Sequence, residues 1–337
     1  MLDPTELQHV AETFGVDESQ VLRDHLISHL LAAITADAAD DVMFFGGTAL
    51  ARSLIPDGRL SEDIDLIATG SRRQLAERLS TVLPLALRRE FPGLTWQPPL
   101  TGTTESAPAV IRTTDGLSVR IQLLGETGYP QWPTTTVDLV QRYSDAPPAR
   151  LTVPTPAGFA AAKATAWRDR RASRDLWDLW ALARRGHLDH QAANLYARLG
   201  PTNHRPDPRD YTNPPDQSRW ERDLGAQTTL AITADEAATH VGAAWHALTT
   251  AQHHDPDRRA AARGMDRGMN RRIRQGTRDR KDIKEAQVDH HSTTERTGLT
   301  GLLKRVEVRI LPGAPCLTCT DYLLPSRLWR IRRARGM

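Results

Sequence analysis

One stretch, residues 43–68, constrains the fold more than any other part of the chain. It contains a short apolar run, a Gly46-Gly47-Thr48 turn, a helix-like segment, and then Asp63-Ile64-Asp65-Leu66. In the last segment carboxylates alternate with apolar residues, so the two carboxylates share one face of a strand and the apolar side chains share the other. The stretch therefore predicts a strand–turn–helix–strand unit with two acidic groups side by side.

This pair of carboxylates and the glycine turn favour a particular chemistry. Neighbouring carboxylates repel each other unless a cation lies between them. Mg²⁺, with Mn²⁺ as the alternative, prefers oxygen ligands and takes one or two carboxylates together with substrate phosphates. A glycine turn at the start of a helix can bind phosphate through backbone N–H groups. We therefore expect Asp63 and Asp65 to bind the metal, and Gly46, Gly47 and Thr48 to bind a nucleoside triphosphate.

Each half of this pattern is weak alone, because a Gly-Gly is most often only a turn and an Asp-x-Asp is more often a solvated strand edge. Together, the segments 45–50 (FGGTAL) and 59–66 (RLSEDIDL) resemble the AbiEii/AbiGii-type nucleotidyltransferase toxins, which include the MenT toxins. The resemblance implies an α/β (α+β) nucleotidyltransferase fold, with a polymerase-β-like mixed sheet and a helical C-terminal domain.

A second segment, residues 163–179, resembles the same family. On the residues alone, Lys163 is an exposed lysine on an alanine-rich helix and Asp175 complements the dipole of the next helix. The resemblance implies instead that Lys163 binds the triphosphate or its leaving group. It also implies that Arg174 and Asp175 line the same cleft, with Lys163 and Asp175 counted among the catalytic residues. We expect Trp177 to belong to the core rather than to stack on a base.

Four arginines, Arg168, Arg170, Arg171 and Arg174, give this segment the densest positive charge in the first 250 residues. Such a cluster suits a triphosphate or the acceptor end of an RNA.

Two further features of the site follow from the resemblance. Ser61 is expected to contact the γ-phosphate, and the matching serine in MenT-like toxins is a site of phosphorylation that silences the enzyme. Nucleotidyltransferases commonly carry a third carboxylate on a later strand. The matching strand here has Gln122 at that position, with Asp115 and Glu126 as candidates out of register, so the third metal ligand is left open.

The activity that the resemblance implies is that of a toxin from a toxin–antitoxin or abortive-infection system. Such a toxin adds nucleotides from an NTP to the tRNA 3′ end and so blocks translation and growth, and a separately encoded antitoxin neutralises it. Two alternatives stay open. One is transfer of a nucleotide to a protein hydroxyl. The other, favoured by the missing carboxylate, is a non-catalytic nucleic-acid-binding protein with a degenerate nucleotide pocket.

The chain divides into four predicted parts. Residues 1–41 form helices that pack on the core, and 42–150 form the nucleotidyltransferase domain. Repeated prolines then mark a boundary, and 151–250 form a helical domain that completes the active site. Residues 251–337 lack apolar periodicity and are expected to be a disordered basic tail.

The charge of the chain is unevenly distributed. The tail carries 20 Lys or Arg and 10 Asp or Glu, whereas the whole chain carries 44 and 41. A nucleic-acid partner therefore has to be argued from local clusters rather than from overall basicity. Residues 307–315 match a translated tRNA-gene T-arm, so the tail is either read-through or an ordinary basic extension. No apolar run of about 18 residues and no signal pattern occur, which predicts a cytoplasmic protein with no membrane partner.

Two other residue pairs have the spacing of metal ligands. His25 and His29 lie at i and i+4 on a predicted helix, but no third ligand is near in sequence, so we expect a solvated helix face. Cys316 and Cys319 are the only cysteines, and without a second pair this CxxC is expected to be incidental.

Overall fold

A computed structural model describes residues 2–105 and 107–251. The helices of this part are α1 (Pro4–Phe14), α2 (Glu18–Ala38), α3 (Gly46–Ser53), α4 (Arg72–Ala86), α5 (Pro156–Arg170), α6 (Ser173–Arg184), α7 (His190–Leu199), α8 (Gln217–Leu224) and α9 (Ala234–Ala251). The strands are β1 (Val42–Phe45), β2 (Asp63–Ala68), β3 (Thr95–Trp96), β4 (Ala109–Arg112), β5 (Ser118–Gly125), β6 (Thr134–Leu139) and β7 (Ala149–Pro154).

The seven strands form one mixed sheet in the order β3-β4-β5-β2-β1-β7-β6. The central pair β1 and β2 is antiparallel, and each also has a parallel neighbour, β7 and β5 respectively. The outer pairs at both edges are antiparallel. This mixed sheet confirms the α/β fold class that the sequence predicts.

Strand β2 shows why the alternating pattern matters. Ile64 and Leu66 are fully buried on one face, whereas Asp63 and Asp65 are only partly buried on the other. The apolar residues thus attach the strand to the core, and burying them forces both carboxylates to the opposite face. The predicted strand–turn–helix–strand unit is confirmed as β1, α3 and β2.

Helix α5 has clear start signals, whereas α6 begins after Ala172 without a side-chain cap. The Thr155 side chain accepts a hydrogen bond from the Gly158 amide at 3.2 Å, and Pro156 is the first residue of α5. Both features stabilise a helix N-terminus. Trp177 on α6 is 6 % exposed and belongs to the main core, as predicted, and Trp180 packs against that core.

The expectation that His25 and His29 lie on a solvated helix face is wrong. They are 4 % and 5 % exposed, because α2 is buried around most of its circumference rather than along one stripe. A helix that is apolar on most sides is typical of a core position. The polar side chains on such a helix need partners from elsewhere in the fold.

Strands β6 and β7 are absent from the sequence prediction. The repeated prolines predict an extended boundary, but this stretch contains β7, which pairs with both β1 and β6. Proline is tolerated there because Pro154 is the last residue of the strand. Strand β7 therefore continues past residue 150, where the sequence analysis ended the nucleotidyltransferase domain.

Among the helices of residues 2–105 and 107–251, none is both long enough and apolar enough to cross a membrane. The basic tail, the possible read-through at 307–315 and the cysteine pair lie outside the described residues.

Candidate active site

A cavity of about 750 Å³ lies between the carboxylate face of the sheet and helices α5 and α6. It brings together most of the residues that the sequence predicts for the site. Those that line it are Gly46, Gly47, Ser61, Asp63, Asp65, Lys163, Arg174 and Asp175. Of the residues predicted to bind metal or nucleotide or to take part in catalysis, Thr48 does not line the cavity.

The glycine turn lies directly against the carboxylates. Gly46 has a φ of +82°, and a Cβ at this position would be 2.1 Å from Asp65 Oδ2. A Cβ at Gly47 would be 2.6 Å from an Arg59 guanidinium nitrogen and 3.1 Å from Ser61 Oγ. Only glycine fits at such a close approach. The turn and the first residues of α3 therefore border the same space as the Asp65 carboxylate.

Replacing Gly46 with alanine should lower both stability and activity. The left-handed φ costs an alanine roughly 1 kcal/mol, and the new methyl group must also displace Asp65. The matched control is Gly116→Ala, because Gly116 has a φ of +93° with no atom near the added Cβ. Comparing melting temperature and turnover for the two variants isolates the contact with Asp65. Equal effects of the two substitutions would contradict this packing.

Asp63 and Asp65 have different surroundings. Asp63 accepts two hydrogen bonds from Arg120, at 2.7 and 3.0 Å, because Arg120 is its register partner on β5. No residue of the described ranges donates a hydrogen bond to the Asp65 carboxylate. Burial, and secondarily the charge of Asp63, raises the pKa of Asp65 to about 7, although Lys163 and nearby arginines oppose the shift. Within residues 2–105 and 107–251, Asp65 therefore forms no direct ion pair, although three cations act on it from a distance.

Five charged side chains at the wall of the cavity form a largely buried network. The Lys163 Nζ lies 2.6 Å from Asp178 Oδ2 and 3.3 Å from Asp175 Oδ1. Arg170 donates two hydrogen bonds to Asp175, at 2.7 and 3.0 Å. Arg59, just before β2, donates two to Asp178, at 2.9 and 3.0 Å. The network therefore fixes the second segment of the sequence pattern to the first.

Asp175 has no exposed surface, and both of its oxygens accept bonds from Arg170 and Lys163. Burial opposes its ionisation, but these two cations hold the pKa of Asp175 well below its usual value. It is an ionised carboxylate at any physiological pH. Its geometry suits a residue that positions Lys163 and Arg170 more than one that contacts substrate.

The remaining predicted residues have structural partners. The Thr48 hydroxyl is buried and donates to the Asp63 carbonyl, so its side chain supports β2. Gln122 is the register partner of Asp65 and its amide donates to the Glu105 carbonyl at 2.7 Å. Asp115 lies in the β4–β5 turn, bonded to Thr113 and away from the cavity.

Strand β5 therefore carries no carboxylate at the position expected for the third metal ligand. Glu105 and Asp169 line the cavity, whereas Glu126 does not. Burial raises the pKa of Asp169 above its ordinary value. These two residues are the acidic side chains of the cavity lining besides Asp63, Asp65 and Asp175.

The four arginines of the predicted cluster separate into two pairs. Arg170 and Arg174 line the cavity. Arg168 and Arg171 instead pair with Asp210, and Arg171 also lies over the Trp167 ring. Arg168 and Arg171 thus stabilise the fold and do not line the cavity.

Several cavity residues were missed by the sequence analysis. Arg120 could have been found, since it lies two residues before Gln122 on the same face of a predicted strand. Arg198 on α7 and Tyr129 in the β5–β6 loop carry no local signal. Burial raises the pKa of Tyr129, and the charge of Asp65 adds to the shift. These residues reach the cavity only through the tertiary fold.

The fold and the site define a nucleotidyltransferase, and comparisons with known proteins agree. The structure is similar to MenT4, a nucleotidyltransferase toxin from Mycobacterium tuberculosis, with a TM-score of 0.52 and 19 % identity. The match covers 72 % of this chain and 87 % of that chain. At this identity the likeness shows the shared fold.

A comparison of the sequence with a protein-family model identifies the family. A family model described as "Nucleotidyl transferase AbiEii toxin, Type IV TA system" matches residues 29–286, well over half of the chain. The chain therefore belongs to the AbiEii nucleotidyl transferase toxin family, and the resemblance found in its motifs is confirmed.

Two other comparisons add less. An antigenic nucleotidyltransferase-like protein from Paracoccidioides brasiliensis is 18 % identical, with a TM-score of 0.33 over 52 % of this chain and 87 % of that one. That TM-score is too low to define a shared fold. Among curated proteins, none matches the chain in sequence.

Proposed function

We propose that this toxin transfers nucleotides from an NTP to the 3′ end of tRNA in the cytoplasm, with Mg²⁺ or Mn²⁺, and that a separately encoded antitoxin neutralises it. The observation that supports this most strongly is the Asp65 carboxylate. It faces the cavity, lies against Gly46 and stands beside Asp63, and burial together with the charge of Asp63 raises its pKa to about 7.

The two aspartates fit a divalent metal. Their oxygens are the hard ligands that Mg²⁺ prefers. Arg120 takes two of the roughly four acceptor positions of Asp63, which leaves others for a metal. A cation between the two carboxylates would offset the burial and the repulsion from Asp63 that raise the pKa of Asp65. When bound, the metal would orient the triphosphate and stabilise the charge that develops during transfer.

The side chains around the aspartates can then bind and orient the nucleotide. Gly46 and Gly47 present a surface with no side chain at the start of α3, where backbone N–H groups suit phosphate. Ser61 Oγ lies close to Gly47, and in this proposal it contacts the γ-phosphate. Lys163 lines the cavity from the side of α5, where two carboxylates hold its ammonium, and in this proposal it neutralises charge on the leaving pyrophosphate.

The walls of the cavity suit an RNA end. Arg170 and Arg174 on one side and Arg198 on α7 add positive charge to the cavity lining. Arginine binds phosphate oxygens through paired N–H donors. A single-stranded acceptor end has both phosphates and a free hydroxyl, and a cavity of about 750 Å³ is within the usual size range of ligand pockets.

Incubation with each of the four α-³²P-labelled NTPs, Mg²⁺ and total tRNA tests this proposal. We expect label on tRNA from at least one NTP, and none with an Asp63→Asn variant that remains folded. Label on protein, in samples with and without tRNA, would support nucleotidylation of a protein hydroxyl instead. Nucleotide binding without any transfer would support the non-catalytic alternative.

A further inference from the structure

A second cluster of possible metal ligands lies outside the cavity. His25 and His29 on α2 meet Asp145, which is in the loop between β6 and β7. His25 Nε2 is 2.9 Å from Asp145 Oδ1, His29 Nε2 is 3.6 Å from the same oxygen, and the two Nε2 atoms are 3.2 Å apart. Asp145 is thus the third ligand that could not be found near the histidines in sequence.

These distances match the edges of a coordination tetrahedron. Zinc binds histidine nitrogen at about 2.0–2.1 Å and carboxylate oxygen at about 2.0–2.2 Å. In a tetrahedron the ligand atoms are then roughly 3.3 Å apart by simple geometry on those bond lengths. The three observed separations, from 2.9 to 3.6 Å, lie around this value. The cluster therefore has the dimensions of a zinc site without rearrangement.

The hydrogen bonds among the three side chains meet at His25 Nε2. A neutral imidazole nitrogen carries at most one proton, so the His25 Nε2 atom cannot donate to both of its neighbours. A cation at the common centre would satisfy all three atoms at once.

The chemistry of the three ligands identifies the kind of ion. Two imidazoles and one carboxylate suit zinc or a similar first-row transition metal, whereas Mg²⁺ prefers oxygen ligands only. Three protein ligands leave a fourth position, and the Asp145 side chain is 22 % exposed, so water can reach it. None of the three residues lines the cavity of the aspartates.

We propose that His25, His29 and Asp145 bind one zinc ion or similar transition-metal ion, with water as the fourth ligand, at a site separate from Asp63 and Asp65. The ion joins α2 to the loop between β6 and β7.

The site also connects to the helix that borders the cavity. Tyr143, in the same loop, donates to Asp24 Oδ2 at 3.0 Å. Asp24 in turn pairs with Arg52 on α3 at 2.8 Å, and both side chains are almost fully buried. Fixing the loop on α2 therefore supports the packing of α3. We expect the ion to act on stability through these contacts.

Metal content and thermal stability test this site in the full-length protein without a polyhistidine tag. All samples carry C316S and C319S, so that the two thiols do not bind zinc. After zinc loading and dialysis, the parent should retain one equivalent more than Asp145→Asn or His29→Gln. Zinc should raise the melting temperature of the parent but not of these variants. Cobalt should give the parent visible d–d absorption bands of a tetrahedral site.

Two controls separate this site from other causes. His9→Gln removes an exposed histidine on α1 and should keep the zinc content, and Asp63→Asn should keep it as well. If His29→Gln does not fold, Asp145→Asn decides alone, because its side chain is the most exposed of the three. Equal zinc content and equal zinc-induced melting shifts in the parent and Asp145→Asn would overturn the proposal and leave a hydrogen-bonded cluster.

Discussion

Replacing Asp65 with asparagine should lower the rate of nucleotide transfer by roughly 10³-fold or more, while the protein stays folded. The substitution keeps the shape of the side chain but removes the charge that faces the phosphates. Losing one preorganised electrostatic group typically lowers turnover by about 10²–10³-fold, and losing a metal ligand adds to that. Turnover at saturating NTP measures the effect. Asp115→Asn is the matched control, because Asp115 lies in an exposed turn away from the cavity.

The same variant tests the electrostatics of the site through stability. A carboxyl whose pKa is raised on folding stabilises the folded state below its unfolded pKa, and this stabilisation is lost as pH rises through the folded pKa. For Asp65 those values are 3.8 and about 7. In metal-free buffer, the wild type should therefore lose up to about 4 kcal/mol relative to Asp65→Asn between pH 4 and pH 8.

A parallel pH dependence of the free energy of unfolding in the wild type and Asp65→Asn would contradict this assignment. A melting temperature lowered by more than ~10 °C in the variant at pH 8 would instead make Asp65 a structural residue.

Replacing Lys163 with methionine should lower turnover by roughly 10²–10³-fold, since a fixed ammonium acts mainly where charge develops on the leaving group. Stability should fall too, because the ammonium bridges two buried carboxylates. Breaking a buried ion pair costs about 3–5 kcal/mol. Asp175 and Asp178 each keep an arginine partner, so the fold should survive.

Trp177→Ala is the matched control for this loss of stability. Trp177 is buried on the same helix as both carboxylates, and truncating it should cost about 3–5 kcal/mol. Turnover per folded molecule, measured well below both melting temperatures, should fall far more in Lys163→Met. Equal turnover in the two variants would mean that Lys163 only stabilises the packing of α5 against α6.

The parts of the site that the sequence predicts are those that local patterns determine. The alternation in β2 determines which face carries Asp63 and Asp65, and the paired glycines mark the start of α3. These signals need no knowledge of the rest of the fold. The second segment, from Lys163 to Asp178, is likewise visible as a helix pair.

The other parts depend on contacts between distant residues. Arg120 meets Asp63 only because β2 and β5 are parallel in that register. The histidines on α2 meet Asp145 across 120 positions of sequence. The prolines around β7 favour a boundary in the local pattern. Its pairing with β1 and β6 cannot be predicted from that pattern. No residue-by-residue pattern encodes these pairings.

The most direct test of the proposed reaction compares intact tRNA with tRNA whose 3′-terminal ribose has been oxidised by periodate. Both samples receive the enzyme, Mg²⁺ and the α-³²P-labelled NTP that supports transfer. If the cavity around Asp63 and Asp65 joins a nucleotide to the free 3′ hydroxyl of tRNA, intact tRNA becomes labelled and oxidised tRNA does not. Equal labelling of the two, or label on neither, would contradict the account.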